Sequence, residues 1–193
     1  MRRLPGLAVL ALICCAGAAA PAAEPRPRGI EACARCHGDD GIATDPATPH
    51  LAGLDAAYLS RQFGFFAENR RRNEDMAALA GDIDSAGLTA ISRWYAGRRP
   101  PAAGNPGSRH AGQRLYEEGN GNSAAPPCAT CHQPDASGNA RFPRLAGQKK
   151  PYLVKQLNDF KSGRRATDPQ MAEVARGLSA ADIQALADYL GER

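Results

Sequence analysis

The chain has 193 residues, enough for one or two domains of ordinary size. Its 24 Lys and Arg against 20 Asp and Glu give a formal charge of +4. That near balance argues against nucleic acid as the main partner, which would ask for a strongly basic face.

In chain order, the first segment reads as an address and not as part of a fold. Arg2 and Arg3 open it, Leu4 to Ala20 is apolar apart from Pro and Gly, and Ala20-Pro21-Ala22 gives an A-x-A pattern. This is the layout of a secretory signal peptide, residues 1–22, cleaved near Ala22. An uncleaved anchor would need roughly 20 apolar residues, slightly more than the run offers. Lipidation at Cys14 or Cys15 would want a small residue just before the Cys, and neither has one. No later stretch is apolar for long enough to cross a bilayer, so the exported chain is expected to be soluble. Without Arg2 and Arg3 the balance is 22 basic to 20 acidic, or +2. Cys14 and Cys15 leave too, and Cys33, Cys36, Cys128 and Cys131 remain. An even count in an exported protein ordinarily suggests disulfides. Here all four lie in two matching motifs, which gives them another use.

The rest of the chain repeats itself. Cys33-Ala-Arg-Cys36-His37 returns as Cys128-Ala-Thr-Cys131-His132, and Met76 as Met171, both after 95 residues. Between them Leu51-Ala-Gly53 matches Leu145-Ala-Gly147, Tyr58-Leu-Ser-Arg-Gln62 matches Tyr152-Leu-Val-Lys-Gln156, and Phe66 matches Phe160, all displaced by 94. Leu88, Ile91 and Trp94 then match Ile183, Leu186 and Tyr189 at 95. Self-similarity of this length means two copies of one small domain. The Pro- and Gly-rich stretch Gly97 to Gly107 marks the joint. The expected layout is domain one at 23–100, a linker at 101–107 and domain two at 108–193. Domains so small usually need a staple such as a disulfide, metal or cofactor.

The elements read as helices. Tyr152, Leu153, Gln156, Leu157 and Phe160 form one stripe, and Ile183, Leu186, Ala187 and Leu190 another. Ser179 with Asp182 is an S-x-x-D start, and Asp84 holds the equivalent cap position in the first copy. Alternating Val, Ile and Thr runs are missing, so the expected class is all-α. Gly-, Pro- and Asn-rich loops follow each Cys motif.

Cysteines at i and i+3 sit about one helical turn apart, so two thioethers reach neighbouring vinyl groups on one porphyrin edge. The following His projects toward the ring centre and offers Nε2 to iron. C-x-x-C-H is therefore a c-type haem attachment motif, with Cys33, Cys36, Cys128 and Cys131 as attachment sites and His37 and His132 as ligands. Zinc and thioredoxin-like redox sites also use C-x-x-C. Zinc would require the two pairs to meet across the joint, and a thioredoxin site would require a βαβ context; neither explains the His or the repeated Met. Met76 lies 40 residues after Cys36 and Met171 lies 40 after Cys131, each in a polar context that suggests a loop. Core filler is the ordinary use of Met, but the preserved distance points to a second axial ligand. A thioether raises the reduction potential and fills the sixth position.

Around these ligands, Pro49 and Pro143 offer carbonyls to the Nδ1–H of each His. Tyr58/Tyr152, Phe66/Phe160 and Trp94/Tyr189 are read as packing against the rings. Arg70–Arg72 and Arg164–Arg165 precede each Met, where pairing with haem propionates, a docking patch and a solvated face are all open. His50 has Arg144 as its counterpart and His110 lies in the linker, so neither is expected to ligate.

Two CxxCH units, each followed by Leu-Ala-Gly, Tyr-Leu-x-x-Gln, a Phe, an Arg cluster and one Met, resemble the dihaem cytochrome c4 family. The second copy is the nearer match, from Pro143-Arg-Leu-Ala-Gly-Gln148 to Phe160-Lys-Ser-Gly-Arg164. The resemblance implies tandem cytochrome c-like domains, each enclosing one covalently bound haem c. It also implies His37/Met76 and His132/Met171 as axial iron ligands. It further implies a periplasmic electron carrier, sometimes membrane-associated, working between respiratory-chain donors and a terminal oxidase or reductase. The first copy has Pro25-Arg-Pro-Arg-Gly29 where the second has Ala111–Gly119, so domain one is expected to be shorter and more open. Two other functions remain. The cytochrome subunit of a larger dehydrogenase would use the same domains, whereas a dihaem peroxidase would need one open distal side.

Overall fold

The computed structural model describes residues 25–102, 104, 111–121 and 125–193. The expected signal peptide, His110 and most of the expected linker lie outside the described residues. The first half holds α1 (Ile30–His37), α2 (Ala56–Ala67), α3 (Glu74–Ala80) and α4 (Ser85–Ala96). The second holds α5 (Ala111–Glu118), α6 (Ala129–His132), α7 (Lys150–Ser162), α8 (Pro169–Arg176) and α9 (Ala180–Glu192). Among the described residues there is no strand, only one antiparallel bridge between Arg71 and Arg165. The all-α expectation holds.

Local chemistry starts and stops these helices in parallel. The Asp84 side chain accepts from Gly87 N–H at 2.7 Å to open α4. Ser179 opens α9 with a full capping box, its Oγ accepting from Asp182 N–H at 3.1 Å while its own N–H donates to Asp182 Oδ2 at 2.9 Å. These are the two caps that the sequence pattern foresees. Past the C-terminus of α2, Asn69 takes φ 54°, and its counterpart Gly163 ends α7 at φ 76°. Both residue types tolerate this left-handed conformation.

Packing repeats as well. α2 lies against α3 and α4, and α7 lies against α8 and α9. Ile183, Leu186, Ala187 and Leu190 are all buried, as their stripe requires, and join Tyr116, Leu153 and Tyr189 in the second core. The first core is smaller, built on Ile30, Cys33, Ile91 and Tyr95. Each fully buried Ile or Leu contributes about 1.5–3 kcal/mol. The difference lies in α5, which crosses α9 so closely that a Cβ on Gly112 would stand 2.0 Å from the Ala185 carbonyl oxygen. The first half has no counterpart of α5 among the described residues.

Candidate functional site

His37 closes α1 and His132 closes α6, and both are buried, at 7% and 6% exposure. The residues after them, Gly38 and Gln133, have φ 78° and 71°, which turns the chain sharply away. The loop then returns a proline carbonyl to each imidazole. His37 Nδ1 lies 3.0 Å from Pro49 O and His132 Nδ1 lies 2.9 Å from Pro143 O. A carbonyl only accepts, so Nδ1 carries the proton and the Nε2 lone pair is left for a metal. Burial is the main influence on both rings and lowers their basicity, which favours the neutral form that a ligand must have.

The same turn is held from its other side by a tyrosine. Tyr95 donates its hydroxyl to Gly38 O at 3.2 Å, and Tyr116 donates to Gln133 O at 2.5 Å. Gly38 and Gln133 are repeat equivalents, but Tyr95 is on α4 and Tyr116 is on α5. Sequence comparison of the copies misses this pair because the tyrosines do not align.

Cys33 is buried in α1 and Cys36, one turn on, is exposed; Cys128 and Cys131 are both half-buried. Burial pushes the Cys33 thiol up and the Cys128 thiol to about 11, opposite to what a thiolate nucleophile or redox thiol requires. Cys36 is thus more exposed than its counterpart Cys131.

Met76 and Met171 occupy the first turns of α3 and α8, not loops as their polar contexts suggested. Each sits three residues past a cap, its N–H donating to Asn73 Oδ1 at 2.9 Å or Asp168 Oδ1 at 3.0 Å. The polar residues that look like loop are these caps, and helices of seven and eight residues are too short to show a period. Both side chains are half-buried.

One cavity of about 680 Å³ links these groups, with Cys33, Cys36, His37, Met76, His132 and Met171 on its wall. The Cys128 and Cys131 side chains do not line it. Its volume falls within the usual range for cofactor sites. Two buried guanidinium nitrogens, Arg144 Nε and Arg165 Nε, have no hydrogen-bond partner, and both residues line this cavity. A group with an apolar ring, an iron that takes imidazole and thioether, and peripheral carboxylates fits this donor set. Haem c is such a group.

Several flanking residues differ from their sequence-based reading. The Tyr58 and Tyr152 hydroxyls accept hydrogen bonds from Arg165 and Arg71, so they are more than apolar packing. Trp94 and Tyr189 are absent from the cavity wall; the next residues along, Tyr95 and Leu190, line it instead. A one-residue shift of register on a helix rotates the inward position by about 100°. Of the two Arg clusters only Arg71 and Arg165 are buried, while Arg70, Arg72 and Arg164 are exposed. The His50 Nδ1 accepts from Ala43 N–H at 3.1 Å, and its main chain pairs with the Gln148 side chain across the two halves.

The family profile described as cytochrome c matches residues 109–192. The chain is 36% identical to a thiosulfate dehydrogenase electron acceptor of Thiomonas intermedia, over 98% of this chain and 90% of the relative. It is 32% identical to cytochrome c4 of Azotobacter vinelandii, with 82% of each covered. Among solved structures, a cytochrome c4 of Acidithiobacillus ferrooxidans superposes with TM-score 0.75 at 30% identity, covering 84% of this chain and 99% of that one. A thiosulfate dehydrogenase of Marichromatium purpuratum does so with TM-score 0.74 at 34% identity, covering 82% of this chain and 36% of that one.

Proposed function

This chain belongs to the dihaem cytochrome c4 family of electron-transfer proteins with covalently bound haem c, and from that premise we propose that it is an exported, periplasmic carrier of single electrons. It takes them from a respiratory-chain donor and passes them to a terminal oxidase or reductase. Residues 1–22 are then the signal peptide, 23–100 and 108–193 the cytochrome domains, and 101–107 the linker. Cys33, Cys36, Cys128 and Cys131 would form the thioethers, and His37 with Met76, and His132 with Met171, would hold the two irons.

Haem supplies the one-electron ferric–ferrous couple. The chain's own residues set how that couple is held. The Pro49 and Pro143 carbonyls fix the tautomer and orientation of the two imidazoles. The Met76 and Met171 thioethers would help hold the irons, would favour the ferrous state and would leave no place for peroxide to bind. That is the chemistry of a carrier without catalytic residues of its own.

The observation that carries this reading is the single cavity lined by a His and a Met from each half. The names of two relatives, each a thiosulfate dehydrogenase electron acceptor 36% identical to this chain, favour a dehydrogenase of reduced sulfur compounds as the donor. The likeness to part of the Marichromatium purpuratum enzyme favours a second reading, a cytochrome subunit of such a dehydrogenase. Purification from the periplasmic fraction separates the two. A free dihaem protein that is reduced by added dehydrogenase and reoxidised by membranes supports the carrier. Co-elution with a catalytic partner at fixed stoichiometry supports the subunit. A protein that reduces peroxide steadily and shows one high-spin haem contradicts both.

A further inference from the structure

The two halves meet through a pair of buried cations with no acid to balance them. Arg71 is 9% exposed and Arg165 is 6% exposed. They stand 94 residues apart at the same place in the repeat, and their main chains bridge each other. Each guanidinium lies over a phenylalanine of its own half, Arg71 at 4.7 Å from the Phe66 ring centre and Arg165 at 4.4 Å from that of Phe160.

Each also reaches across. Arg71 donates to Gln62 Oε1 at 3.1 Å, and to Tyr152 OH at 2.6 Å and Gln156 Oε1 at 3.0 Å in the other half. Arg165 donates to Gln156 Oε1 at 2.7 Å, and to Tyr58 OH at 3.1 Å and Gln62 Oε1 at 2.7 Å in the first half. Every one of these acceptors is neutral. Among the described residues no carboxylate pairs with either arginine; of the two nearest in sequence to Arg165, Asp168 caps the Met171 N–H and Asp159 pairs with Lys155 and Arg164. Two like charges buried side by side without a counter-ion are strongly disfavoured. A guanidinium has five N–H donors, and three hydrogen bonds for each arginine leave donors over, including the buried and unpartnered Arg165 Nε. All six residues of the network line the cavity that holds the candidate iron ligands.

The missing acceptors must therefore come from what fills the cavity, and they must be anionic. We infer that Arg71 and Arg165 form one shared carboxylate seat at the joint of the halves, neutralising haem carboxylates from both sites. This rests on the dihaem reading above. Gln62 and Gln156 each accept from both arginines, so the loss of either guanidinium disturbs both halves. A cation beside an iron site disfavours the ferric state, so its removal lowers the potential.

The test uses the holoprotein and its variants R71Q and R165Q in an optical redox titration, with resonance Raman spectra of the porphyrin carboxylate bending bands. Each variant is expected to lower both midpoint potentials and to shift the carboxylate bands. Arg→Lys at the same position recovers most of the potential, because the charge returns, but not the bands, because Lys lacks the fork. Unmoved potentials and bands overturn the inference, and so does a fall confined to the variant's own half. Should the Gln variants fail to accumulate, the Lys variants decide, since unchanged bands in them overturn it. Two low-spin haems in the wild-type protein are the control; their absence would refute the dihaem reading and not the seat.

Discussion

The two halves build one feature from different parts. In the second, Tyr116 on α5 holds the carbonyl of Gln133, just past His132. In the first, which shows no such helix among its described residues, Tyr95 on α4 holds the equivalent carbonyl of Gly38. The neighbourhood is adjusted to match. Gly41 and Ala136 are repeat equivalents, and both have positive φ, 73° and 57°. A Cβ on Gly41 would lie 2.6 Å from Ala52 N and 2.8 Å from the Tyr95 ring. The second half has Leu190 where the first has Tyr95, and there Ala136 is accommodated, fully buried. A repeat thus preserves the position of a hydrogen bond to the histidine turn while exchanging the helix that supplies it.

Met76→His and Met171→His each replace a thioether by an imidazole at one site only. Each is expected to lower one midpoint potential by on the order of 0.1–0.3 V, within the roughly 0.8 V that axial ligands span. Spectroelectrochemistry reads both sites in one titration. Next, Gly41→Ala adds a clash to left-handed strain and should destabilise by about 2–4 kcal/mol in denaturant unfolding. Ala136→Gly exchanges relief of that strain for one lost methyl and should stay within about 1 kcal/mol of the wild type. Tyr95→Leu should rescue part of the Gly41→Ala loss, as coupled neighbours do.

Tyr95→Phe and Tyr116→Phe each leave a carbonyl unpaired, at about 1–3 kcal/mol. Both phenols are pushed above their ordinary value, chiefly by burial. The folded state therefore keeps its proton where the unfolded chain loses it. Stability from this source is complete below about pH 10 and falls as pH rises beyond it. The Phe variants should make that alkaline decline less steep, which pH-dependent unfolding measures. The smallest effect separates the caps. Ser179→Ala and Asp84→Ala should each cost about 1 kcal/mol, Asp84 the more because its carboxylate also faces a helix N-terminus, while the bond from the residue-179 N–H to Asp182 survives the Ser179 change. Thermal melts resolve the pair.

The features legible in the sequence were those that recur in register. The Cys–Cys–His spacing, the Pro carbonyls, the stripe on α9 and the Ser179 and Asp84 caps all follow from residue type at fixed separation. The Gln62–Arg71 and Gln156–Arg165 network was half visible, because Tyr-Leu-x-x-Gln repeats but its cross-half partners depend on how the copies dock. The α3 and α8 turns under the methionines stayed hidden because their caps mimic loop composition. Tyr95 and Tyr116 stayed hidden for the opposite reason, being one function at two unaligned positions. Tertiary packing supplies what sequence periodicity leaves unstated.

The most direct measurement is an optical redox titration of the purified, haem-loaded protein. The account predicts two one-electron transitions at positive potential, with the Met–iron charge-transfer band present for both haems in the ferric state. A single transition, a high-spin site or loss of that band at either haem would contradict it.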